Sequence, residues 1–337
     1  MARIGIIGAG FMGAAHAKAV SNSQRHELAG IADIDRQKGE ALAQEYACRY
    51  YETAEELFRD ESVAIVHICL PTNLHCRYII QASEAGKHVL CEKPFALTDA
   101  EIAEAIAAVR KNGTKLMIAQ VVRFWPENVV IRQFKESGAL GKLKMCSAHR
   151  LGQIPVWAEW YRDAAVSGGG LFDLHTHDID NMIDLFGPCT EVYAIGQKYE
   201  GCWNYMSTSL TFQSGMKSIV ESSLNMPGDY PFSTSFRLLG ENACIEQCMR
   251  AGANLDDMSN TMRYLKLYEN GKPCRDIPFE AYDAYQGEIE HFADCVDQGL
   301  EPRILPEESR NVMRVIRTIE QSLNTGKVVP TGWVEDA

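Results

Sequence analysis

The sequence predicts an α/β domain followed by an α+β domain. In the first third of the chain, short β-branched runs alternate with helical patterns, which is typical of a doubly wound parallel sheet made from βαβ units. A glycine-rich turn follows the first of these runs. From about residue 142 the strand candidates are longer and alternate polar with apolar residues, which indicates a large, mostly antiparallel open sheet.

The elements of the first domain follow one another at short intervals. The predicted strands are Arg3–Ile7, Glu27–Asp33, Ala64–Leu70, Lys87–Cys91 and Lys115–Ala119. The predicted helices are Gly13–Ser21, Arg36–Tyr46, Thr53–Phe58, His75–Ala85 and Asp99–Lys111. The last helix opens with Thr98 and carries Glu101 in its first turn, a capping pattern.

The second half is dominated by strands. They are predicted at Met145–Leu151, Glu191–Gln197, Met206–Gln213, Met216–Asn225, Ser233–Gly240 and Tyr264–Glu269. Turns at 213–216 and at 269–272 have the composition of hairpin loops. Helices are expected at Leu171–Phe186, Ala284–Gln298 and Glu307–Asn324.

Length and composition limit the possible functions. The chain has 337 residues, which is long for a single core, so we expect domains at 1–120 and 121–337, with the C-terminal helices packing back between them. The net charge of -12 argues against a nucleic-acid partner, which would require clustered basic residues. No apolar run approaches the length of a membrane span, so no membrane association is expected.

The cysteines and the N-terminus indicate the compartment. The eleven cysteines are scattered and odd in number, and Cys244 and Cys248 have helical spacing without a second pair, so neither a disulfide framework nor a zinc site is expected. The first residues enter a strand directly and leave no room for a signal peptide. We therefore expect a cytoplasmic protein with reduced thiols.

Gly8, Gly10 and Gly13 follow a strand and open a helix, as in the Rossmann fingerprint. Gly8 permits the tight turn, Gly10 lets the backbone approach a pyrophosphate, and Gly13 allows close packing of the helix. Phe11 and Met12 lie in the same turn and join the candidate cofactor contacts. The motif predicts that this domain binds a dinucleotide.

Asp33 lies 20 residues beyond Gly13, at the end of the second strand. An acidic side chain there accepts hydrogen bonds from the adenosine ribose and repels the 2′-phosphate of NADP, so NAD is the expected cofactor. Arg36 leaves NADP possible, because an arginine just past the strand can bind a phosphate. The simpler interpretation of Arg36 is a solvated charge in the first turn of a helix.

Four further segments occur in a fixed order along the chain. They are Pro71-Thr72-Asn73-Leu74-His75, Glu92-Lys93-Pro94, the run Gln120–Pro126, and Gly168-Gly169-Gly170 continuing through Asp173 to His177. With the glycine motif they resemble the Gfo/Idh/MocA oxidoreductase family, and the resemblance covers nearly the whole chain. It implies that Pro71, Thr72, Asn73, His75, Glu92, Lys93 and Gln120 contact the cofactor.

The resemblance also implies a catalytic group. Oxidising an alcohol requires a base for the hydroxyl proton, and the pKa of histidine suits this role. Asp173 and His177 are four residues apart, so on a helix they share a face and the carboxylate can orient the imidazole. By the resemblance, Lys93 bonds the reacting oxygen and stabilises its developing charge. Lys93, Asp173 and His177 are therefore the predicted catalytic residues.

Several residues could bind the substrate. His175 replaces a residue that is usually small in the family, so it could enter the pocket and narrow specificity. The approaches to the site hold aromatic and cationic side chains that suit a sugar ring or a carboxylate, namely Arg123, Trp157, Trp160, Tyr161 and Arg162. A metal site is not expected, since His175 and His177 should point to different faces of their helix.

We therefore expect an NAD(P)-dependent dehydrogenase acting on a hydroxyl of a small polyhydroxylated compound: a sugar, a cyclitol or a sugar derivative. Two alternatives remain: a glycosidase that uses bound NAD in an internal redox cycle, and a regulator that only senses the dinucleotide. The resemblance further implies a homodimer or homotetramer that associates through the outer face of the C-terminal sheet.

Overall fold

The computed structural model describes residues 1–155, 159–252 and 261–333. The chain divides into two compact units, and neither is continuous in sequence. Unit 1 comprises Met1–Phe124 and Tyr282–Arg310, and unit 2 comprises Trp125–Ala281 and Asn311–Ala337.

Unit 1 contains a six-stranded parallel sheet. Its strands are β1 (Arg3–Ile7), β2 (Glu27–Ala32), β3 (Arg49–Tyr51), β4 (Ile65–Ile68), β5 (His88–Glu92) and β6 (Leu116–Ala119). Their order across the sheet is β3-β2-β1-β4-β5-β6, and every pairing is parallel. The order reverses at β1 and β4, which confirms the predicted doubly wound sheet.

Helices connect these strands as predicted, with ends shifted by one or two residues. They are α1 (Phe11–Asn22), α2 (Arg36–Glu45), α3 (Ala54–Arg59), α4 (His75–Glu84) and α5 (Asp99–Asn112). Helix α5 begins with the expected capping box, in which Thr98 and Glu101 each bond the other's backbone N–H. Helix α10 (Ala284–Gln298), from the C-terminal part of the chain, also belongs to unit 1.

The core of unit 1 depends on that returning segment. Ile4, Ile65 and Leu90 come from adjacent central strands and form one buried cluster with Phe292 and Ile304. A second cluster lies around Ile6, Ile31 and Leu42. Strand residues buried on both faces explain the continuous apolar runs that predicted a parallel sheet.

Unit 2 contains a nine-stranded sheet. Its strands are β7 (Leu143–Leu151), β8 (Cys189–Tyr199), β9 (Cys202–Phe212), β10 (Lys217–Ser223), β11 (Ser233–Gly240), β12 (Ala243–Arg250), β13 (Met262–Glu269), β14 (Arg275–Asp276) and β15 (Val329–Pro330). Their order is β14-β13-β12-β11-β7-β10-β9-β8-β15. Among the described strands of this nine-stranded sheet, only β7 and β10 pair in parallel. The predicted mostly antiparallel sheet is therefore confirmed.

The helices of unit 2 are α6 (Pro126–Glu136), α7 (Ala164–Ser167), α8 (Gly169–Asp173) and α9 (His175–Phe186). The last helix, α11, spans Pro306–Thr325, and its part from Asn311 onward belongs to unit 2. Both predicted hairpin turns are present: Gly215 N bonds Phe212 O between β9 and β10, and Lys272 N bonds Glu269 O between β13 and β14.

One face of the nine-stranded sheet is covered and the other is open. Along β9 buried residues alternate with more exposed ones, so Met206 and Leu210 lie inside and Tyr205 lies outside. Helices α8 and α9 pack against β9 and β10. The outward face carries large apolar side chains at Tyr193, Ile195 and Ile219.

No helix of the described residues is long and apolar enough to cross a bilayer. All eleven cysteines fall within the described ranges, and each is a free thiol.

Candidate active site

The glycine turn between β1 and α1 has a different steric requirement at each glycine. Gly8 has φ +99°, and a Cβ there would lie 2.3 Å from the carbonyl oxygen of Cys69. A Cβ on Gly13 would lie 1.8 Å from the carbonyl oxygen of Gly8. A Cβ on Gly10 would meet nothing within 4 Å. Gly8 and Gly13 are therefore needed for packing, whereas Gly10 faces open space, where a ligand could approach the backbone.

The rest of that turn is fixed by Asp33, which follows β2. Its carboxylate accepts hydrogen bonds from the backbone N–H of Ala9 at 2.6 Å and of Asp35 at 2.7 Å. The acid thus connects the glycine turn to the end of the neighbouring strand. Arg36 lies in the first turn of α2 with a mostly exposed side chain, which pairs with Glu40 at 2.9 Å and Glu52 at 3.6 Å. The guanidinium of Arg36, which could have bound the 2′-phosphate of NADP, is therefore already paired with two carboxylates.

The candidate cofactor residues after β4 form a short 3-10 helix at Thr72–Leu74, which leads into α4. Pro71 and Asn73 are accessible, while Thr72 is buried. His75 is fully buried, and its two ring nitrogens lie 2.8 Å from the carbonyl oxygens of Leu70 and Pro94. Burial lowers the pKa of His75, although both carbonyls favour the charged ring. These bonds hold the segments after β4 and β5 together.

Lys93 comes directly after β5, and its side chain is half-buried. Glu92 is buried, with one carboxylate oxygen 3.2 Å from the backbone nitrogen of Lys93 and the other 2.8 Å from His16 Nε2. Gln120 follows β6 and is also buried. Its side-chain oxygen has no hydrogen-bond partner within the described part of the chain.

The carboxyl ends of neighbouring strands bring these residues to one edge of the parallel sheet. Gly8, Asp33, Pro71, Lys93 and Gln120 follow β1, β2, β4, β5 and β6, respectively. Dinucleotides bind at this edge, where the strand order reverses. The open space at Gly10 and the unsatisfied oxygen of Gln120 both fit a bound group that approaches the backbone and donates a hydrogen bond. The residues present therefore fit a dinucleotide.

In unit 2, the glycine run turns the chain into the helix that carries Asp173. Gly168 and Gly169 adopt φ values of 76° and 70°. The backbone N–H of Gly170 donates to Asn204 Oδ1 at 2.8 Å. Asn204 lies on β9 and is buried, so it fixes the start of α8 to the sheet. This residue was not predicted, because nothing near it in sequence indicates its contact.

The predicted helix at 171–186 is divided into α8 and α9 at Leu174, which keeps helical backbone angles. Asp173 and His177 thus remain about one helical turn apart. Asp173 is buried. Between Gly169 and Ile183 every residue is buried except His177, which is partly exposed.

His175 lies on the buried side of the same helix. Its Nδ1 lies 2.7 Å from Ser222 Oγ and its Nε2 lies 3.0 Å from Thr208 Oγ1, and the ring is fully buried. Burial lowers the pKa of His175 to about 4, so the ring is neutral near pH 7. Both nitrogens are occupied by the sheet, and these contacts favour a structural role over the expected role in specificity.

Asp178 also anchors the helix. Its carboxylate accepts two hydrogen bonds from Arg150 of β7, at 2.8 and 3.0 Å, and both side chains are buried. The Arg150 guanidinium lies over the Trp125 ring, 5.1 Å from its centre. A bidentate buried pair fixes orientation as well as distance. The ion pair and the His175 bonds together fix the rotation of α9 about its axis, and with it the direction of His177.

The other candidate substrate residues have partners of their own. In unit 1, Arg123 is buried and pairs with Glu308 at 3.0 Å. In unit 2, Trp160 stacks on Tyr161 with ring centres 4.0 Å apart, and Arg162 pairs with Glu200 at 3.2 Å. Trp157 lies outside the described residues. Within the described ranges, no group of three or more His, Cys, Asp or Glu side chains is placed to hold a metal ion.

Comparisons with known proteins agree with this geometry. Residues 2–120 match the oxidoreductase family with an NAD-binding Rossmann fold, and residues 129–246 match the GFO/IDH/MocA C-terminal domain. A D-xylose 1-dehydrogenase (NADP(+)) of Haloferax volcanii is 30% identical over 331 residues, covering 96% of this chain and 98% of the relative. An inositol 2-dehydrogenase of Rhizobium meliloti is 28% identical over 311 residues, covering 89% and 90%.

Among solved structures, aldose-aldose oxidoreductase from Caulobacter crescentus, complexed with glycerol, superimposes with a TM-score of 0.86. It covers 98% of this chain and 99% of that one at 23% identity, which is a likeness of fold. The family matches include both the nucleotide-binding edge and the helix that carries Asp173 and His177. The chain therefore belongs to the GFO/IDH/MocA family of NAD(P)-binding oxidoreductases.

Proposed function

We propose that the protein is a dehydrogenase that oxidises a hydroxyl group of a sugar, cyclitol or sugar derivative and prefers NAD to NADP. The observation that carries the proposal is the partial accessibility of His177, one helical turn from Asp173, within an otherwise buried helical segment. A partly accessible titratable side chain on a helix that is fixed to the sheet suits a general base. The named relatives act on D-xylose and inositol, compounds that carry several hydroxyl groups.

The residues of the chain divide the reaction between them. The glycine turn and the residues that follow β2, β4, β5 and β6 would hold the dinucleotide, which would supply the acceptor for the hydride of the alcohol carbon. His177 takes the hydroxyl proton, and Asp173 fixes the imidazole tautomer that can accept it. The family resemblance gives Lys93 the role of stabilising the negative charge that develops on a reacting oxygen. The products are a carbonyl compound, the reduced cofactor and a proton on His177.

A screen of sugars and polyols with NAD and with NADP, followed by absorbance of the reduced cofactor, tests the reaction class. Net accumulation of reduced cofactor with a polyhydroxylated alcohol is the expected result. Turnover without net reduction, or no turnover with any sugar or polyol, would contradict the proposal.

Variants test the proposed roles. Lys93→Met and His177→Ala should each lower kcat by at least about 100-fold while cofactor affinity changes little, since acid-base and electrostatic effects have that size. Lys115→Met is a matched control, because this lysine precedes β6 and pairs with Glu301. Near-normal turnover of a folded Lys93 or His177 variant would remove that residue from the mechanism.

The Asp173→Ala/His177→Ala double variant tests whether the two residues act as one unit. It should be scarcely slower than the worse single variant, because groups that act jointly are strongly non-additive. Independent losses that multiply would mean that Asp173 does not act through His177.

A further inference from the structure

A chain of buried polar side chains runs through unit 1 beneath the glycine turn. His16 lies on α1, His67 on β4 and Glu92 at the end of β5, and both histidines are completely buried. His16 Nδ1 lies 3.2 Å from His67 Nδ1, and His16 Nε2 lies 2.8 Å from Glu92 Oε1. Ionisable groups are rarely placed in a core without a partner or a function, since burying them costs free energy.

The distances limit the possible positions of the protons. Two ring nitrogens that face each other must share one proton, so one of them donates and the other accepts. His16 Nε2 faces Glu92, and an ionised carboxylate can only accept, so with Glu92 ionised Nε2 also carries a proton. If His16 donates at both nitrogens, it is a cation that neutralises Glu92, and His67 is neutral with its remaining proton on Nε2.

The surroundings favour this arrangement. Burial opposes a charge on His16, yet the Glu92 carboxylate, 2.8 Å from its Nε2, raises the pKa of His16. Burial and the neighbouring charges of His16 and His26 hold the pKa of His67 well below its ordinary value. The Tyr285 ring of α10 completes the surroundings of His16, at 6.4 Å between ring centres.

Glu92 connects this cation to the predicted catalytic lysine. One carboxylate oxygen binds His16, and the other accepts from the backbone N–H of Lys93 at 3.2 Å. Helix α1, which begins at the glycine turn, is thereby joined to the end of β5 through a single side chain. We propose that His16 is a positioning residue: as a buried cation it holds Glu92, and through Glu92 it fixes the backbone from which Lys93 extends. The inference rests on the proposed function only in assigning catalysis to Lys93.

The first test uses NMR of the full-length protein and needs no substrate. With ¹⁵N-labelled histidine, the His16 ring should be an imidazolium at pH 7 in the wild type and neutral in Glu92→Gln, where the carboxylate charge is absent. The Lys93 amide resonance should move when His16 loses its proton. A neutral His16 in the wild type at pH 7, or a Lys93 amide that is insensitive to both His16→Leu and Glu92→Gln, would overturn the proposal.

The second test separates positioning from general stability. His16→Leu should lower kcat by about 10- to 100-fold with NAD affinity within about threefold of wild type, because small displacements of a catalytic group are costly. His16→Gln keeps a hydrogen-bond donor without the charge, so it should lose activity as well. The control is His88→Gln, which removes a half-buried histidine of unit 1 whose Nδ1 accepts a hydrogen bond from the backbone N–H of Lys115 at 2.9 Å.

Each outcome of these experiments bears on a different part of the proposal. An equal loss of kcat in His88→Gln, or full activity in His16→Gln, would show that the charge of His16 does not act on Lys93. If His16→Leu does not fold, His16→Gln and Glu92→Gln carry the test. If the wild type oxidises no alcohol, the proposed function has failed, and the NMR measurements still decide whether His16 is a cation that fixes Lys93.

Discussion

At the scale of single residues, Asp33 has two tasks. It holds the glycine turn through Ala9 and Asp35. From its place at the end of β2, we also expect its negative charge to repel the 2′-phosphate of NADP. Because Glu40 and Glu52 already pair with Arg36, we expect the wild type to bind NAD more tightly than NADP. Asp33→Ala should narrow that preference, as measured by titration of both cofactors.

Arg36 provides the counterpart to this measurement. Arg36→Ala should leave the preference nearly unchanged, since its charge is already paired at the surface, where ion pairs contribute little. Tighter binding of NADP by the unmodified protein would show that Arg36 determines the choice instead.

His175 makes stability depend on pH in a defined direction. Its pKa is lowered by burial to about 4, whereas the unfolded chain has the ordinary value near 6.5. The unfolded state therefore binds more protons between these values, and stability is lost as the pH falls from about 6.5 towards 4. The full effect is on the order of 3 kcal/mol.

Denaturant unfolding between pH 4.5 and 8 can measure this contribution. His175→Gln should be less stable than the wild type at pH 7, because it disturbs the bonds to Ser222 and Thr208. The difference should shrink as the pH falls, since the variant has no imidazole to protonate. A difference that stays constant with pH would mean that His175 is not kept neutral by the fold.

At the scale of elements, the glycine turn separates packing from ligand binding. Gly13→Ala should destabilise the protein by about 1–3 kcal/mol, because its Cβ would collide with the Gly8 carbonyl. Gly10→Ala should keep its stability, because Gly10 has φ -79° and open space beside it, but should weaken cofactor binding by about tenfold or more. Thermal unfolding and cofactor titration measure the two effects; unchanged affinity in Gly10→Ala would exclude a close approach of the cofactor there.

Most elements of unit 1 could be predicted because the central strands β1, β4, β5 and β6 are almost wholly buried and α2, α3 and α5 each begin with a side-chain cap. The edge strand β3 was missed, since three residues provide no periodicity. Strand β12 is not among the predicted strands, and the four-residue spacing of Cys244 and Cys248, which is typical of a helix, lies within this extended strand. Helix α6 was also missed; its proline at the first position is a common helix start that was assigned to the crossing between domains.

The site could be predicted in part. Local motifs indicate the glycine turn, Asp33, Lys93 and the Asp173–His177 spacing. The partners that hold them are distant in sequence: His16 and Glu92 are 76 residues apart, and Arg150 and Asp178 are 28 apart. The parallel pairing of β7 with β10 could not be predicted from the sequence either, because both strands show the same polar–apolar alternation as their antiparallel neighbours.

At the scale of the whole molecule, the open face of the nine-stranded sheet is the expected site of self-association. Tyr193, Ile195, Tyr205 and Ile219 lie on its outward side with at least 40% of each side chain exposed. Adjacent exposed apolar side chains of this size mark interaction surfaces. We expect a homodimer or homotetramer formed through this face.

The Ile195→Glu/Ile219→Glu variant should have a smaller mass than the wild type in analytical ultracentrifugation, because charges would be buried at the interface. Leu300→Glu, an exposed apolar position in unit 1, is the control and should leave the assembly unchanged. A monomeric wild type, or equal masses for the sheet variant and the wild type, would contradict this expectation.

The discontinuity of unit 1 has a consequence for biosynthesis. Its main core cluster combines Ile4, Ile65 and Leu90 with Phe292 and Ile304, which a ribosome adds some two hundred residues later. Until then, the nascent Rossmann sheet leaves one apolar layer uncovered and must be kept from aggregating. A gene fragment that encodes only residues 1–124 would therefore yield a nucleotide-binding sheet without its cover, and the core of this unit is completed only after residues 282–310 have been synthesised.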